Sequence, residues 1–171
     1  MLRFERECWD RGVDGLAGVD EAGRGPLAGP VVAAAVVFER AFAEAEEHRL
    51  LDGLTDSKRL SESRRDSFFA ILRESPRVGI GVGRAEVEEI DRINILQATH
   101  LAMARAVNAL PAIPSHVLVD GLPVKGLPCP STAIVRGDSL SLSIAAASII
   151  AKVTRDGIMK EWDAVYPQYG F

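Results

Sequence analysis

The chain alternates short apolar runs with longer stretches in which apolar residues recur at steps of three and four. Leu16–Glu21 is an apolar run that ends in two acids and breaks at Ala22–Gly25, the pattern of a buried strand. Val31–Phe38 is valine-rich and follows Pro30, a residue tolerated at a strand's start. It lies close enough to the first run to pair with it as a hairpin across Gly23–Gly29. Arg77–Arg84 alternates apolar residues with glycine and predicts a third strand. Val117–Asp120 (VLVD) predicts a short central strand, and Ala133–Val135 a fifth. Helical spacing fills the intervals. Ser61 can cap a helix over Glu62–Arg73. Ile93, Leu96, Met103, Val107 and Leu110 share one stripe, so a helix is predicted over Asn94–Leu110, stopping at Pro111. Ile144, Ala147, Ala151, Thr154, Ile158, Trp162 and Val165 keep the same steps, predicting a long helix from about Ser139 to Tyr166. Strands first, then helix–strand–strand–helix, indicate a mixed sheet with helices on its faces, in the α/β class.

Composition narrows the function classes. The 171 residues are 47% hydrophobic and 26% charged, the balance of an ordinary globular domain, and no repeat or low-complexity linker divides residues 1–171. Twenty Lys and Arg against 24 Asp and Glu give a net charge of −4, which excludes phosphate binding by bulk positive charge. The apolar runs Val31–Phe38 and Ile144–Ala151 are far shorter than the roughly 18 residues that span a bilayer. The first ten residues, MLRFERECWD, lack the apolar core of a signal peptide. Cys8 and Cys129 suit neither a zinc spacing nor a disulfide framework and read as reduced thiols of a cytoplasmic chain.

The candidate chemistry is acidic. Asp20 and Glu21 close the first strand, Asp120 closes the fourth and Asp138 opens the last helix. Ligand sites of sheet-centred domains gather at strand carboxyl ends, so these acids are placed to converge. Oxygen ligands without histidine favour magnesium or manganese over zinc. Two such ions clamp the attacking and leaving oxygens of an in-line phosphoryl displacement. Plainer readings stand beside this one. Asp138 can serve as a helix N-cap, and Asp120–Gly121 is a common turn pair. Asp20 and Glu21 are adjacent, so strand alternation sends them to opposite faces unless the strand ends there. Gly23–Arg24–Gly25–Pro26–Leu27–Ala28 fits a loose dinucleotide-loop pattern, but a valine-rich strand follows where that loop requires a helix. Gly23 and Gly25 better suit close backbone approach to a ligand beside the Arg24 fork, or a plain turn. Lys58, before the capped helix, suits a phosphate or a basic surface loop. Lys152, in an apolar stretch, either snorkels to water or reaches a substrate backbone. His48, His100 and His116 are scattered and carry no role by pattern.

Six collinear motifs then stand out: GVDEAGRGPLAGPVV (Gly18–Val32), TDSKRL (Thr55–Leu60), INILQAT (Ile93–Thr99), VDG (Val119–Gly121), GDS (Gly137–Ser139) and AASIIAKVTRD (Ala146–Asp156). Together they resemble bacterial ribonuclease HII from about Gly18 to Phe171. The resemblance implies a ribonuclease H-like fold, a five-stranded mixed sheet flanked by helices. It implies a type 2 endonuclease that cuts the RNA strand of RNA–DNA hybrids and nicks 5′ of a single ribonucleotide embedded in duplex DNA, leaving 3′-hydroxyl and 5′-phosphate ends. Such an enzyme serves ribonucleotide excision repair. The family's metal-binding catalytic acids fall on Asp20, Glu21, Asp120 and Asp138, holding two magnesium or manganese ions. Its 2′-hydroxyl-reading motif falls on Gly23, Arg24 and Gly25. Lys58 matches a lysine near the nucleic-acid backbone, and Asn94, Gln97 and Lys152 fall on further motif positions. Asp156 is left structural. The implied partner is an RNA–DNA hybrid or ribonucleotide-containing duplex, met by a monomeric cytoplasmic chain.

Family members continue past the YPQYGF of Tyr166–Phe171 into an H-K-G-Y segment whose tyrosine stacks on a substrate sugar. This chain stops at Phe171 and lacks that C-terminal extension, so weaker, less junction-specific binding is expected. The rival expectations are a non-catalytic or weakly active hybrid-binding fragment of the same fold and, more remotely, a two-metal nuclease acting on DNA alone.

Overall fold

Strand β2 (Val31–Phe38) is apolar at every position, as a strand covered on both faces must be. The structure, a computed structural model describing residues 1–171, places it inside a five-stranded sheet. Strands β1 (Leu16–Ala22), β3 (Val78–Ala85), β4 (His116–Asp120) and β5 (Ser131–Ile134) complete the order β3-β2-β1-β4-β5. β1 and β2 form the expected antiparallel hairpin, and β3 joins antiparallel. β4 pairs parallel to β1, and β5 parallel to β4. The five strands fall where the pattern put them, with β5 two residues earlier at its start.

Alternation along the strands divides the core. Val31, Ala33 and Ala35 of β2, with Ala17 and Val19 of β1 and Val117 and Val119 of β4, face helix α4 (Val87–Asn108). Ala34, Val36 and Phe38 face helix α5 (Leu142–Val165), flanked by helix α3 (Glu62–Glu74). Alanine and valine dominate the α4 layer, and alanines at Ala145, Ala146, Ala147 and Ala151 line the buried part of α5, so both helices approach the strands closely. At Gly18 of β1 the approach leaves no room at all: an added Cβ would overlap the backbone of Ser143 and Ile144 in the first turn of α5.

Three helical expectations are corrected. The helix predicted from Asn94 begins seven residues earlier, at Val87, because Glu86 and Glu89 form a reciprocal capping box. Asn94 is where that helix kinks: its φ is 67°, and its side-chain Oδ1 accepts hydrogen bonds from the Leu96 and Gln97 amides at 3.0 and 3.2 Å. It therefore acts as an internal N-cap for the apolar stripe. The last helix starts at Leu142, not Ser139. Its cap is Ser141, whose Oγ accepts from the Ile144 amide, while Asp138 lies in a separate 3-10 turn, Gly137–Ser139. Helices α1 (Arg3–Trp9) and α2 (Arg40–Glu46) lie where the sequence predicted none. Each is too short to show two turns of periodicity.

Helix α1 nevertheless fixes α5. Glu5, fully buried, accepts hydrogen bonds at one carboxylate oxygen from Ser141 Oγ, Ser143 Oγ and the Ser143 amide at 2.6, 2.7 and 2.9 Å. A carboxylate from a distant segment thus satisfies the free donors of the α5 N-terminus and complements its dipole.

Gly18→Ala should force α5 away from β1. The expected cost is about 1–3 kcal/mol, the range for overpacking a tight interior, read as a lower urea midpoint with unchanged slope. A midpoint equal to the parent chain's would show that the helix can shift freely.

Candidate metal centre

Strand register decides which acids meet. β1 and β4 are parallel neighbours with Val19 opposite Val119, so Asp20 and Asp120 follow side by side. Both have the parity of Gly18 and Leu118 and point to the α5 side. The 3-10 turn before α5 brings in Asp138. One carboxylate oxygen from each of Asp20, Asp120 and Asp138 lies within 4.8 Å of the others. Second contacts hold each acid. Asp20 Oδ1 accepts from the Glu21 amide at 2.7 Å, and the Ser148 hydroxyl of α5 also supports it. Asp120 Oδ1 accepts from the Gly137 amide at 2.6 Å, tying β4 to the turn that carries Asp138.

Glu21 stands beside this trio rather than in it. Alternation sends it to the α4 side, where its carboxylate is 3.7 Å from the Arg24 guanidinium. Because the strand ends one residue later, it still borders, with Asp20, a recess that Gly23, Arg24, Gly25, Ser57, Lys58 and Lys152 also line.

The electrostatics are those of crowded anions. Burial, then repulsion from Glu21 and Asp120, raises Asp20 well above the usual carboxylate range. Burial also raises Glu21, with Asp120 adding and Arg24 and Lys58 opposing. Asp138 is raised by burial, then by Asp120 and Asp56. A divalent cation would relieve this repulsion, and an all-oxygen donor set suits magnesium or manganese. The residues present fit such an ion.

The remaining predicted residues divide. Lys58 reaches the recess because Asp56 caps the turn Ser57–Arg59, accepting from the Lys58 amide at 2.9 Å. Lys152 borders the recess while pairing with Asp156 at 2.7 Å, which gives Asp156 its structural role. Asn94 and Gln97 line none of this recess, and the Asn94 carbonyl is spent on its own helix.

The two glycines differ. Gly25 has open space around it, whereas Gly23, at φ 100°, lies under Arg155, and an added Cβ would meet that guanidinium and the Pro30 carbonyl. The sequence offered ligand approach or a plain turn for Gly23, and packing under Arg155 adds a structural demand to either. Arg155 lies within the AASIIAKVTRD motif, but the sequence reading gave it no role of its own. It is buried and donates to the carbonyls of Pro30 and Ala28 at 3.1 and 2.7 Å, bracing the Gly23–Pro30 connection. Only its place in the otherwise apolar face of α5 could have revealed it.

The sequence profile of the ribonuclease HII family matches residues 17–171. The ribonuclease HII of Clostridioides difficile is 49% identical over 98% of this chain, and that of Geobacillus kaustophilus 53% identical over all of it. The chain spans only 63% and 62% of those relatives' own length. Among solved structures, the ribonuclease H2 of Pyrococcus horikoshii superposes with a TM-score of 0.74 at 29% identity, covering 92% of this chain and 79% of that one. A manganese complex of Bst ribonuclease HIII shares the fold, with a TM-score of 0.69 at 22% identity, covering 88% of this chain and 55% of that one.

The raised carboxyls set a sign for pH dependence. In the metal-free fold they retain protons that the unfolded chain has lost, so their contribution to stability falls as pH rises from about 4, the ordinary carboxyl value, through the raised values. Asp20→Asn should therefore stabilise the metal-free chain more at pH 8 than at pH 4, measured by thermal melts. Magnesium should raise the parent chain's melting temperature at pH 8 and progressively less toward pH 4, where protons compete. A separate comparison concerns the glycines. Gly23→Ala should lower the melting temperature, and Gly25→Ala should leave it within a degree or so. Equal melting temperatures for those two variants would remove the packing role given to Gly23.

Proposed function

The chain belongs to the ribonuclease HII family, and from that premise we propose that it is a metal-dependent endoribonuclease that hydrolyses the RNA strand of RNA–DNA hybrids. We propose further that it nicks 5′ of a single ribonucleotide in duplex DNA. The observation that carries the reading is the convergence of Asp20, Asp120 and Asp138, with Glu21 at their side, at the open ends of two parallel strands. Lys58 and Arg24 offset this charge only in part, since the carboxyls of Asp20, Glu21 and Asp138 all stay raised, so a purely structural use would leave the repulsion uncompensated.

Asp20, Asp120 and Asp138 would hold the ions, with Glu21 as the fourth ligand. Bound there, a divalent ion would supply a lowered pKa for an attacking water and neutralisation of charge on the leaving oxygen. The chain's own residues do the rest. The Glu21 and Gly137 amides and the Ser148 hydroxyl orient the carboxylates, so little reorganisation is needed when charge develops. Lys58 and Lys152 line the recess as cations for the strand's phosphates, supplying locally what a net charge of −4 withholds at long range. Gly23–Arg24–Gly25 lies at the rim, where its backbone can meet a 2′-hydroxyl, the group that separates RNA from DNA. Water attacks phosphorus, the bond to the 3′-oxygen breaks, and that oxygen takes up a proton. The products are a 3′-hydroxyl and a 5′-phosphate. Every group in this account comes from one chain, which supports action as a monomer. The two unpaired cysteines support a reducing, cytoplasmic setting. No helix is long and apolar enough to cross a membrane.

The test is cleavage of a labelled duplex containing one ribonucleotide, with magnesium or manganese, against EDTA and an all-DNA duplex. Metal-dependent nicking of the first duplex alone is expected. Asp20→Asn or Asp120→Asn should lower kcat by on the order of 10³ or more, the loss of several kcal/mol of electrostatic stabilisation. Full turnover in either variant at saturating metal overturns the assignment. Hybrid binding without any cleavage favours the binding-fragment reading.

A further inference from the structure

Strand alternation gives the metal centre two sides. The Lys58–Lys152 recess lies on the α5 side of the sheet end. A second recess of about 230 Å³ opens on the α4 side, and Glu21, Arg24 and Asp120 form its inner wall. Its outer parts are His100 of α4 and Lys125 of the connection after β4. No pattern in the sequence assigned either residue a role.

The state of His100 is the informative feature. Its ring makes no hydrogen bond within the chain, and its Nδ1 is fully buried without a partner. A buried polar atom left unpaired costs about 1–3 kcal/mol, so its persistence in a folded interior calls for an explanation. Nδ1 is closed off from the recess that the ring borders, so the nitrogen left to meet an occupant there is Nε2, which has no partner within the chain either. Burial, followed by the neighbouring cations Arg24 and Lys125, pushes its pKa down and favours the neutral ring, so Nε2 meets an occupant as one donor or one acceptor, according to the tautomer. The adjacent Thr99 hydroxyl is already committed, donating to the Ile95 carbonyl at 2.8 Å. Around these donors the lining turns apolar. Leu122 and Leu96 stand at the recess with 70% and 43% of their surface exposed.

The combination restricts the occupant. Arg24, Lys125 and the His100 N–H present donors and positive charge. Glu21 and Asp120, the anions here, belong to the metal centre. The volume falls below the roughly 300–1,000 Å³ of sites for free small molecules, which favours one unit of a polymer anchored elsewhere. An anionic group flanked by an apolar ring matches a sugar–phosphate. Because the recess shares walls with the metal centre, its occupant must be covalently next to whatever linkage sits on the ions.

We propose that this recess is a substrate subsite for the sugar–phosphate of the nucleotide flanking the cleaved linkage on the α4 side, with His100 and Lys125 as its recognition groups. The inference rests on the nuclease reading above. A strand crossing the metal centre leaves the Lys58–Lys152 side and enters the His100–Lys125 side, so the two recesses together fix its path.

The test separates this subsite from the chemistry. Binding of a fluorescein-labelled RNA–DNA hybrid is followed by anisotropy in an Asp20→Asn background, and kcat and KM are measured with Asp20 intact. His100→Ala and Lys125→Ala should each raise Kd and KM about two- to tenfold, the worth of one lost hydrogen bond, with kcat unchanged, and Lys125→Ala should leave the melting temperature unchanged as well. His100→Gln, which keeps a donor and an acceptor, should recover most of the loss. Lys125→Ala should also reduce the salt dependence of log Kd by about one, as expected for a lost phosphate contact, whereas His100→Ala should not. Hybrids shortened at one end up to the cut should bind the parent chain more weakly, and the two variants should be insensitive to that same truncation. Unchanged binding in both variants overturns the subsite, as does equal sensitivity of parent and variants to truncation. If the parent chain binds hybrid in this manner but cuts nothing, the nuclease reading fails while the subsite stands. If it binds no hybrid, the subsite falls too.

Discussion

Everything at the open end of this sheet depends on placing like charges together. Asp20 and Asp120 sit on parallel neighbouring strands in the same register and on the same face, and Asp138 closes the group from a 3-10 turn. Their mutual repulsion, with burial, opposes folding. The scaffold must therefore over-determine their positions. It does so with β1 paired on both sides, with α5 pressed directly against Gly18, and with the Gly137 amide anchoring Asp120. Stability spent in this manner is common where function needs a strained or charged arrangement.

Helix α5 is the lever in that scaffold. Its first turn is capped twice, locally by Ser141 and at a distance by Glu5 of α1. Its middle supplies Ser148 against Asp20 and Lys152 at the recess, and further along Arg155 holds the Gly23–Pro30 connection through two carbonyls. One rigid element thus sets the clustered acids, a candidate phosphate contact and the glycine-rich rim in a single frame. Groups placed on a packed helix hold their geometry better than groups on loops, which is what electrostatic catalysis requires.

On the proposed reading, the two recesses would divide the labour of a polymer-binding site on an acidic chain. Long-range attraction for nucleic acid is weak at a net charge of −4, so local cations would carry the phosphate contacts. Lys58 and Lys152 lie on one side of the sheet, and Lys125 with His100 on the other. Arg24 borders both. A positive path interrupted by an acidic centre suits a strand whose one linkage is to be held by metal ions while its neighbours are held by side chains.

The sequence by itself determined the strands, the α/β class and the acids. Apolar runs of period two, and acids at their ends, are local features that survive without tertiary context. The motif resemblance added the family and the same four acids. It could not separate Asp20 from Glu21, because which of two adjacent residues joins the cluster depends on which face of the sheet α5 covers. It read Asp138 as opening a helix, because the cap at Ser141 and the 3-10 turn before it are distinguished only by backbone geometry. It missed α1 and α2, too short for a periodic signal, and with them the Glu5 clamp. No local pattern gave Arg155 or His100 a role: one is defined by carbonyls about 125 residues away, the other by a recess assembled from β1, α4 and the connection after β4. Periodicity records what each segment buries, whereas the partners of a buried charge are chosen only when distant segments meet.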